Sequence, residues 1–251
     1  MNIWADPYNW TLLAVFLVLG TGAIMRIRAG LSSTTNRKLL AAHLAMVVAP
    51  LMANSVVYYP LDQLLGAKSY ANLLVHAFVT LAIWLLSISV IASMTPERRP
   101  WWAKWWVPVA AILVSAIAFE ILDPHSNRGL VNYQDDLAYV VYWLATLSIL
   151  PLAMPQIVRG LSHWFQGEKR VTAPARYKAS AGLMIYGYIA GSLATICYAV
   201  TAVAPSMIFV REFLGYSAIL ALAVGLMVTP SVSQRREVAR WQRADRVQIP
   251  R

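Results

Sequence analysis

Five ionisable side chains, Asp62, His76, Glu120, Asp136 and Arg211, stand where long apolar stretches of the chain begin or end. A charged group is costly to leave facing hydrocarbon, so groups placed like this face a bundle interior or a water-filled recess. Gathered at one end of a helical bundle with Asn54, Tyr58, Tyr59, Asp123 and Glu212, they would rim a polar vestibule suited to a cation or a small polar ligand. His76 lies about two helical turns inside its segment and is the deepest of the set. A histidine switches charge near neutral pH. If His76 met Asp62, Glu120 or Asp136, it would tie distant segments together in a pH-dependent way. Bonded instead to a backbone carbonyl or to Thr80, it would have no such role. The plainer account of the whole set is ordinary loop charge, with Asp135 and Asp136 favoured by the dipole at a helix start.

Sharper chemistries find little support. The last apolar segment, FLGYSAILALAVGLMVT, has no lysine to form a Schiff base. There is no His-x-x-x-His, no His-Glu-x-x-His and no cysteine pair, so the usual zinc spacings are missing. His125 with Asp123, His76 and Asp136 would hold a metal only if three loops converged. The single cysteine, Cys197, allows no intrachain disulfide. No serine elbow, Walker sequence or dinucleotide glycine fingerprint occurs. The expectation is no catalytic set, no metal and no cofactor.

The elements that must position these residues are seven apolar segments: 8–25, 39–58, 70–94, 101–122, 136–157, 179–204 and 213–229. Each has about the length a helix needs to cross the hydrocarbon core. The chain is 59% apolar and 13% charged, with a mean hydropathy of +0.56, whereas a soluble domain carries about 25% charge. Of its 21 Lys and Arg residues, all but Lys68, Arg128 and Arg211 fall on one side of the alternating segments. The positive-inside bias then places the N-terminus outside and the C-terminus in the cytoplasm, as an odd number of spans requires. The net charge of +10 therefore reads as topology determinants beside anionic headgroups rather than as a nucleic-acid surface. The expected class is all-α: a polytopic seven-transmembrane-helix bundle over 1–230, followed by a basic cytoplasmic tail over 231–251. Its expected place is a bacterial plasma membrane.

Finer features fit that frame. No cleavable leader is evident in MNIWADPYNW, and Trp4, Tyr8 and Trp10 suit the outer interface. Trp101, Trp102, Trp105 and Trp106 suit the opposite one. Gly187 and Gly191, with Thr195, form a stripe of small residues that admits a neighbouring helix closely, inside the bundle or across a dimer. Pro151 and Pro155 imply a kink in the fifth segment, either static or a gating hinge. The tail could lie on the membrane as a short helix around Val238 and Trp241, or stay solvated. No internal repeat is apparent, which removes support for a duplicated transporter.

The seven-segment layout and the stretch YYPLDQLLGAKSYANLLVHAF, in which an aspartate leads through Asn72–Leu73 into the third helix, resemble a group of actinobacterial seven-helix membrane proteins classed as transporters. Many of these carry an extra cytoplasmic domain after the last helix, which this chain is expected to lack. The resemblance implies a membrane bundle and names no substrate. Two functions stay open: a permease-like protein with an outer vestibule, or a non-transporting sensor that engages a membrane or cytoplasmic protein partner through its basic inner face. The lipid bilayer is the partner common to both.

Overall fold

The computed structural model describes residues 7–28, 34–94, 100–124, 133, 136–166 and 175–228. Among the described residues its regular structure is all helix, with no strand. The helices are α1 (Pro7–Arg28), α2 (Thr34–Ala53), α3 (Ser55–Leu64), α4 (Tyr70–Met94), α5 (Trp106–Leu122), α6 (Leu137–Leu147), α7 (Ile149–Gln166), α8 (Ala175–Thr201) and α9 (Ile208–Val228). Short 3-10 turns at Trp101–Ala103 and Pro205–Met207 lead into α5 and α9. α1 packs on α2 and α9, α2 on α4, α5 on α6 and α8 on α9, while α4 and α7 meet near the centre.

Four helical stretches are long and apolar enough to cross a bilayer: Tyr70–Ala92, Leu137–Ser162, Lys178–Thr201 and Pro205–Leu226. The bent pair α2–α3 makes a fifth if it counts as one, and α5 is apolar but only 17 residues long. Among the described residues, the number meeting both criteria is thus four or five, against the seven expected. The outer surface is strongly apolar. On α5 the exposed residues include Val109, Leu113, Ile117 and Ile121, and on α9 they include Phe209, Phe213 and Leu220. Water-soluble surfaces rarely hold such continuous apolar stripes, so the helices have the character of an integral membrane protein.

The second segment does not run straight from 39 to 58. α2 ends at Ala53 and α3 leaves at 84° to it. Asn54 makes the corner: its backbone is extended, and its side chain accepts from the Val56 N–H at 3.1 Å, capping α3. α3 is then inside-out relative to a water-exposed helix. Ser55, Tyr58 and Asp62 are its buried residues, while Val56, Tyr59 and Leu64 are exposed. The fifth segment also breaks, at Ser148, just ahead of Pro151 and Pro155. Pro151 has no N–H to offer the Leu147 carbonyl, so the ladder is interrupted one turn earlier, between α6 and α7. The seventh segment starts earlier than its apolar run suggests, which puts Arg211 and Glu212 inside α9 rather than before it.

The main core joins Leu86 of α4, Ile149, Ala153 and Ile157 of α7, Tyr188 of α8 and Leu226 of α9, with Trp102 sealing one end. Trp102 is buried while Trp101 and Trp105 stay exposed, and its carbonyl accepts from Trp84 Nε1 at 3.2 Å. Polar groups inside this core pair locally: Ser87 Oγ and the Tyr188 hydroxyl lie 2.6 Å apart. His43 is buried with Nδ1 2.9 Å from the Leu39 carbonyl one turn back. Arg26 donates from Nη2 to the Leu226 carbonyl at 2.7 Å, tying the end of α1 to that of α9. The small-residue stripe faces inward. A Cβ on Gly187 would stand 2.7 Å from Leu222 Cγ of α9, and one on Gly191 would stand 2.8 Å from Leu150 Cδ1 of α7.

Candidate functional site

The end of the bundle opposite Arg26 carries a second cluster, built from Ala118, Phe119, Leu122, Ala138, Tyr139 and Tyr142 with Tyr70, Trp143 and Tyr198 against it. Its centre is one face of α6. Tyr139, Tyr142 and Trp143 recur three and four residues apart, so they project from the same side of that helix. His76 reaches this face from α4: its Nδ1 is hydrogen-bonded to the Tyr142 hydroxyl, and its ring centroid lies 4.4 Å from that of Trp143. Trp143 in turn stacks on Tyr198 of α8, with centroids 4.3 Å apart and planes 15° from parallel. The Arg211 guanidinium sits over the other side of this pair, 4.6 Å from the Tyr198 centroid. A continuous column therefore runs His76, Trp143, Tyr198, Arg211 through three helix interfaces.

Arg211 is 4% exposed. Its Nη1 donates to the Tyr139 hydroxyl at 3.1 Å and, more weakly, to Thr201 Oγ1 at 3.5 Å. Among the described residues the carboxylate paired with it is that of Glu212, with Oε1 3.6 Å from Nη2. Its Nε has no acceptor among the described residues. A buried guanidinium with so loose a counter-charge is expensive, and such groups mark ligand or ion sites more often than packing sites.

No protein-family model matches the chain, and neither the curated proteins nor the solved structures contain a match to it.

The five residues singled out in the sequence divide by task. Asp62 is 1% exposed. Its Oδ2 accepts from the Ser69 N–H at 3.1 Å and its Oδ1 from the Ala71 N–H at 3.3 Å, so it caps α4 across the intervening turn. Its carbonyl also takes the Ala67 N–H at 2.7 Å. That turn holds three positive-φ residues, Gly66 (φ 100°), Ala67 (φ 57°) and Ser69 (φ 61°), and glycine alone adopts the first without strain. Asp136 caps α6, accepting from the Ala138 N–H at 2.7 Å. Glu120 accepts from the Tyr70 hydroxyl at 2.9 Å, and beside it Lys68 pairs with Asp123 at 3.2 Å, in contacts open to solvent. The Asp123 carboxylate, by hydrogen bond and by charge, holds the Lys68 ammonium above its ordinary pKa.

The structure therefore brings together His76 and Arg211 through aromatic rings, and assigns Asp62 and Asp136 to helix capping. His76 meets a tyrosine hydroxyl, not a carboxylate, and Thr80 meets its carbonyl: the Thr80 hydroxyl lies 2.9 Å from both the His76 and Thr146 carbonyl oxygens. The residues missed in the sequence are Tyr139, Tyr142, Trp143 and Tyr198. The signal for the first three was present in LAYVVYWLAT, where aromatic residues keep helical spacing; Tyr198 stands apart in the sixth segment. Asp135 and His125 lie outside the described residues, as does the basic tail 231–251. Among the described residues, no group of three or more His, Cys, Asp or Glu side chains is placed to hold a metal.

Proposed function

We propose that this chain is a multi-pass protein of a bacterial plasma membrane, permease-like, that takes up a ligand at its outer end beside Arg211. In this reading α1, α2, α4, α5, the α6–α7 pair, α8 and α9 make seven crossings, and α3 lies in the plane of the outer interface. The N-terminus is outside and the basic tail is cytoplasmic. Support comes from the one-sided distribution of Lys and Arg and from the apolar helices. The observation that carries ligand binding is the buried, under-compensated Arg211 guanidinium at the end of an aromatic column. The resemblance to seven-helix proteins classed as transporters points the same way.

The orientation is tested with single cysteines in a Cys197→Ser background, labelled on intact cells with a membrane-impermeant maleimide. Substitutions at Ser206, in the turn before α9, and at Ser126 should be labelled. One at Ser233 should react only after the membrane is opened. Labelling of Ser233→Cys on intact cells would reverse the topology and put the Arg211 site on the cytoplasmic side.

A further inference from the structure

We infer that Arg211 is the receptor for an organic monocarboxylate, bound along its Nε/Nη2 edge in competition with the protein's own Glu212. This rests on the reading of the aromatic–arginine end as a ligand site. A guanidinium has distinct edges, and carboxylates bind best when two parallel N–H groups meet both oxygens. Here the tasks are split. Nη1 is engaged by the Tyr139 and Thr201 hydroxyls, and one face is covered by the Tyr198 ring at 4.6 Å. The Nε/Nη2 edge is not engaged: Nε has no acceptor among the described residues, and Nη2 has only Glu212 Oε1 at 3.6 Å. Charge-assisted N–H···O bonds are about 2.7–2.9 Å long, so this contact falls well short of one.

The position of Glu212 explains the poor fit. It is the next residue on α9, and adjacent side chains of a helix diverge rather than face each other. Its carboxylate reaches back with one oxygen only, and its side chain remains 49% exposed. It cannot present both oxygens to its neighbour, whereas a free carboxylate can. When such a ligand arrives, Glu212 turns out to water and the buried cation stays neutralised.

Charge and surroundings select the class. One guanidinium balances one negative charge, so a monocarboxylate leaves the site neutral, while a phosphate dianion would leave excess charge among aromatic rings. The neighbours of the guanidinium are Tyr139, Tyr198 and, behind Tyr198, Trp143, which suits a carboxylate with an apolar body.

The experiment uses the full chain in detergent, with benzoate, acetate and inorganic phosphate each exchanged for chloride at constant ionic strength. Intrinsic tryptophan fluorescence and thermal unfolding are the two readouts. The expected result is saturable binding of benzoate, weaker binding of acetate and no saturable effect of phosphate. Arg211→Lys removes the fork and should abolish the benzoate effect. Glu212→Gln removes the competitor from a half-exposed position and should tighten benzoate several-fold. That variant keeps the test sound even where changes at buried Arg211 impair folding. Absence of saturation by benzoate in both the wild type and Glu212→Gln would overturn the inference and leave an ordered water as the partner of Nε. A phosphate response as strong as that of benzoate would overturn the monocarboxylate class. Failure here with the expected cysteine labelling removes only the ligand assignment, whereas reversed labelling with intact benzoate binding removes only the orientation.

Discussion

Three glycines of α8 offer an internally controlled test of how closely its neighbours pack, because a methyl group would meet different surroundings at each. At Gly182 nothing lies within 4 Å of the added carbon. Gly182→Ala should therefore express only the helix-propensity gain, up to about 1 kcal/mol. At Gly187 the carbon would stand 2.7 Å from Leu222 Cγ, 2.8 Å from Leu222 Cδ2 and 3.3 Å from the Ala218 carbonyl oxygen. Optimal carbon–carbon separation is about 3.5–4.0 Å. Leu222 is itself buried, and Cγ is the branch point, so no simple rotamer change clears it. Overpacking of this kind costs about 1–3 kcal/mol. Set against the propensity gain of about 1 kcal/mol, Gly187→Ala should be net destabilising by up to about 2 kcal/mol. At Gly191 the closest atom is Leu150 Cδ1 at 2.8 Å, a side-chain tip, with Ala218 Cβ at 3.6 Å. Gly191→Ala should fall near neutral, whereas Gly191→Leu should reach the upper end of the overpacking range, about 3 kcal/mol. Thermal unfolding in one detergent at one protein concentration gives the ranking. About 2–4 °C accompanies each kcal/mol in a chain of this size. If Gly187→Ala proved as stable as Gly182→Ala, the close approach of α8 and α9 at Leu222 would be refuted.

Other substitutions probe the end of the bundle that carries Asp62, and the core. Asp62→Ala leaves the Ser69 and Ala71 amides without their carboxylate, and should cost about 2 kcal/mol or more in the same unfolding assay; Asp62→Asn should recover part of it. Asn54→Ala removes the cap of α3 and should cost about 1 kcal/mol, with faster amide exchange at Val56 as its local signature. Tyr188→Phe deletes the hydroxyl 2.6 Å from Ser87 Oγ and should lower stability by about 1 kcal/mol, since Ser87 keeps its bond to the Ile83 carbonyl. The raised pKa of Lys68 means that its pairing with Asp123 contributes fully below pH 10.5 and is lost as pH rises through the raised value. Stability measured from pH 9 to 12 should therefore fall more steeply in the wild type than in Asp123→Asn.

Much of the helical layout was legible from hydropathy. The third segment, 70–94, coincides with α4, and the fourth ends with α5 at Leu122. Two errors share one cause: the average over a segment hides single polar residues that redirect the backbone. Asn54 leaves 39–58 apolar as a whole, yet its amide caps a new helix and turns the chain through 84°. Arg211 and Glu212 lowered the apparent apolarity of the start of α9, although Pro205 already initiates a 3-10 turn ahead of them. At the candidate site, residue type alone did not separate a ligand-binding carboxylate from a capping one. Asp62 and Asp136 both precede apolar helices, and only the amides they accept from reveal their task. Arg211 was identifiable as a charge at a helix end. Its aromatic setting depends on Tyr198, 56 residues from Tyr142, and no local pattern joins those positions.

The corner at Asn54 also bears on the shape of the protein within its bilayer. In the proposed orientation α3 lies along the outer interface with Val56, Tyr59 and Leu64 toward the acyl chains. A ten-residue helix is about 15 Å long and about 10 Å wide, so it occupies roughly 150 Å² of the outer leaflet with no counterpart from the same element in the inner one. In that orientation α3 would add width to the outer half of the molecule alone, giving it the sense of a wedge. A wedge of this sense relieves packing stress where the outer leaflet is expanded, and it should partition toward small, highly curved vesicles in preference to flat membranes.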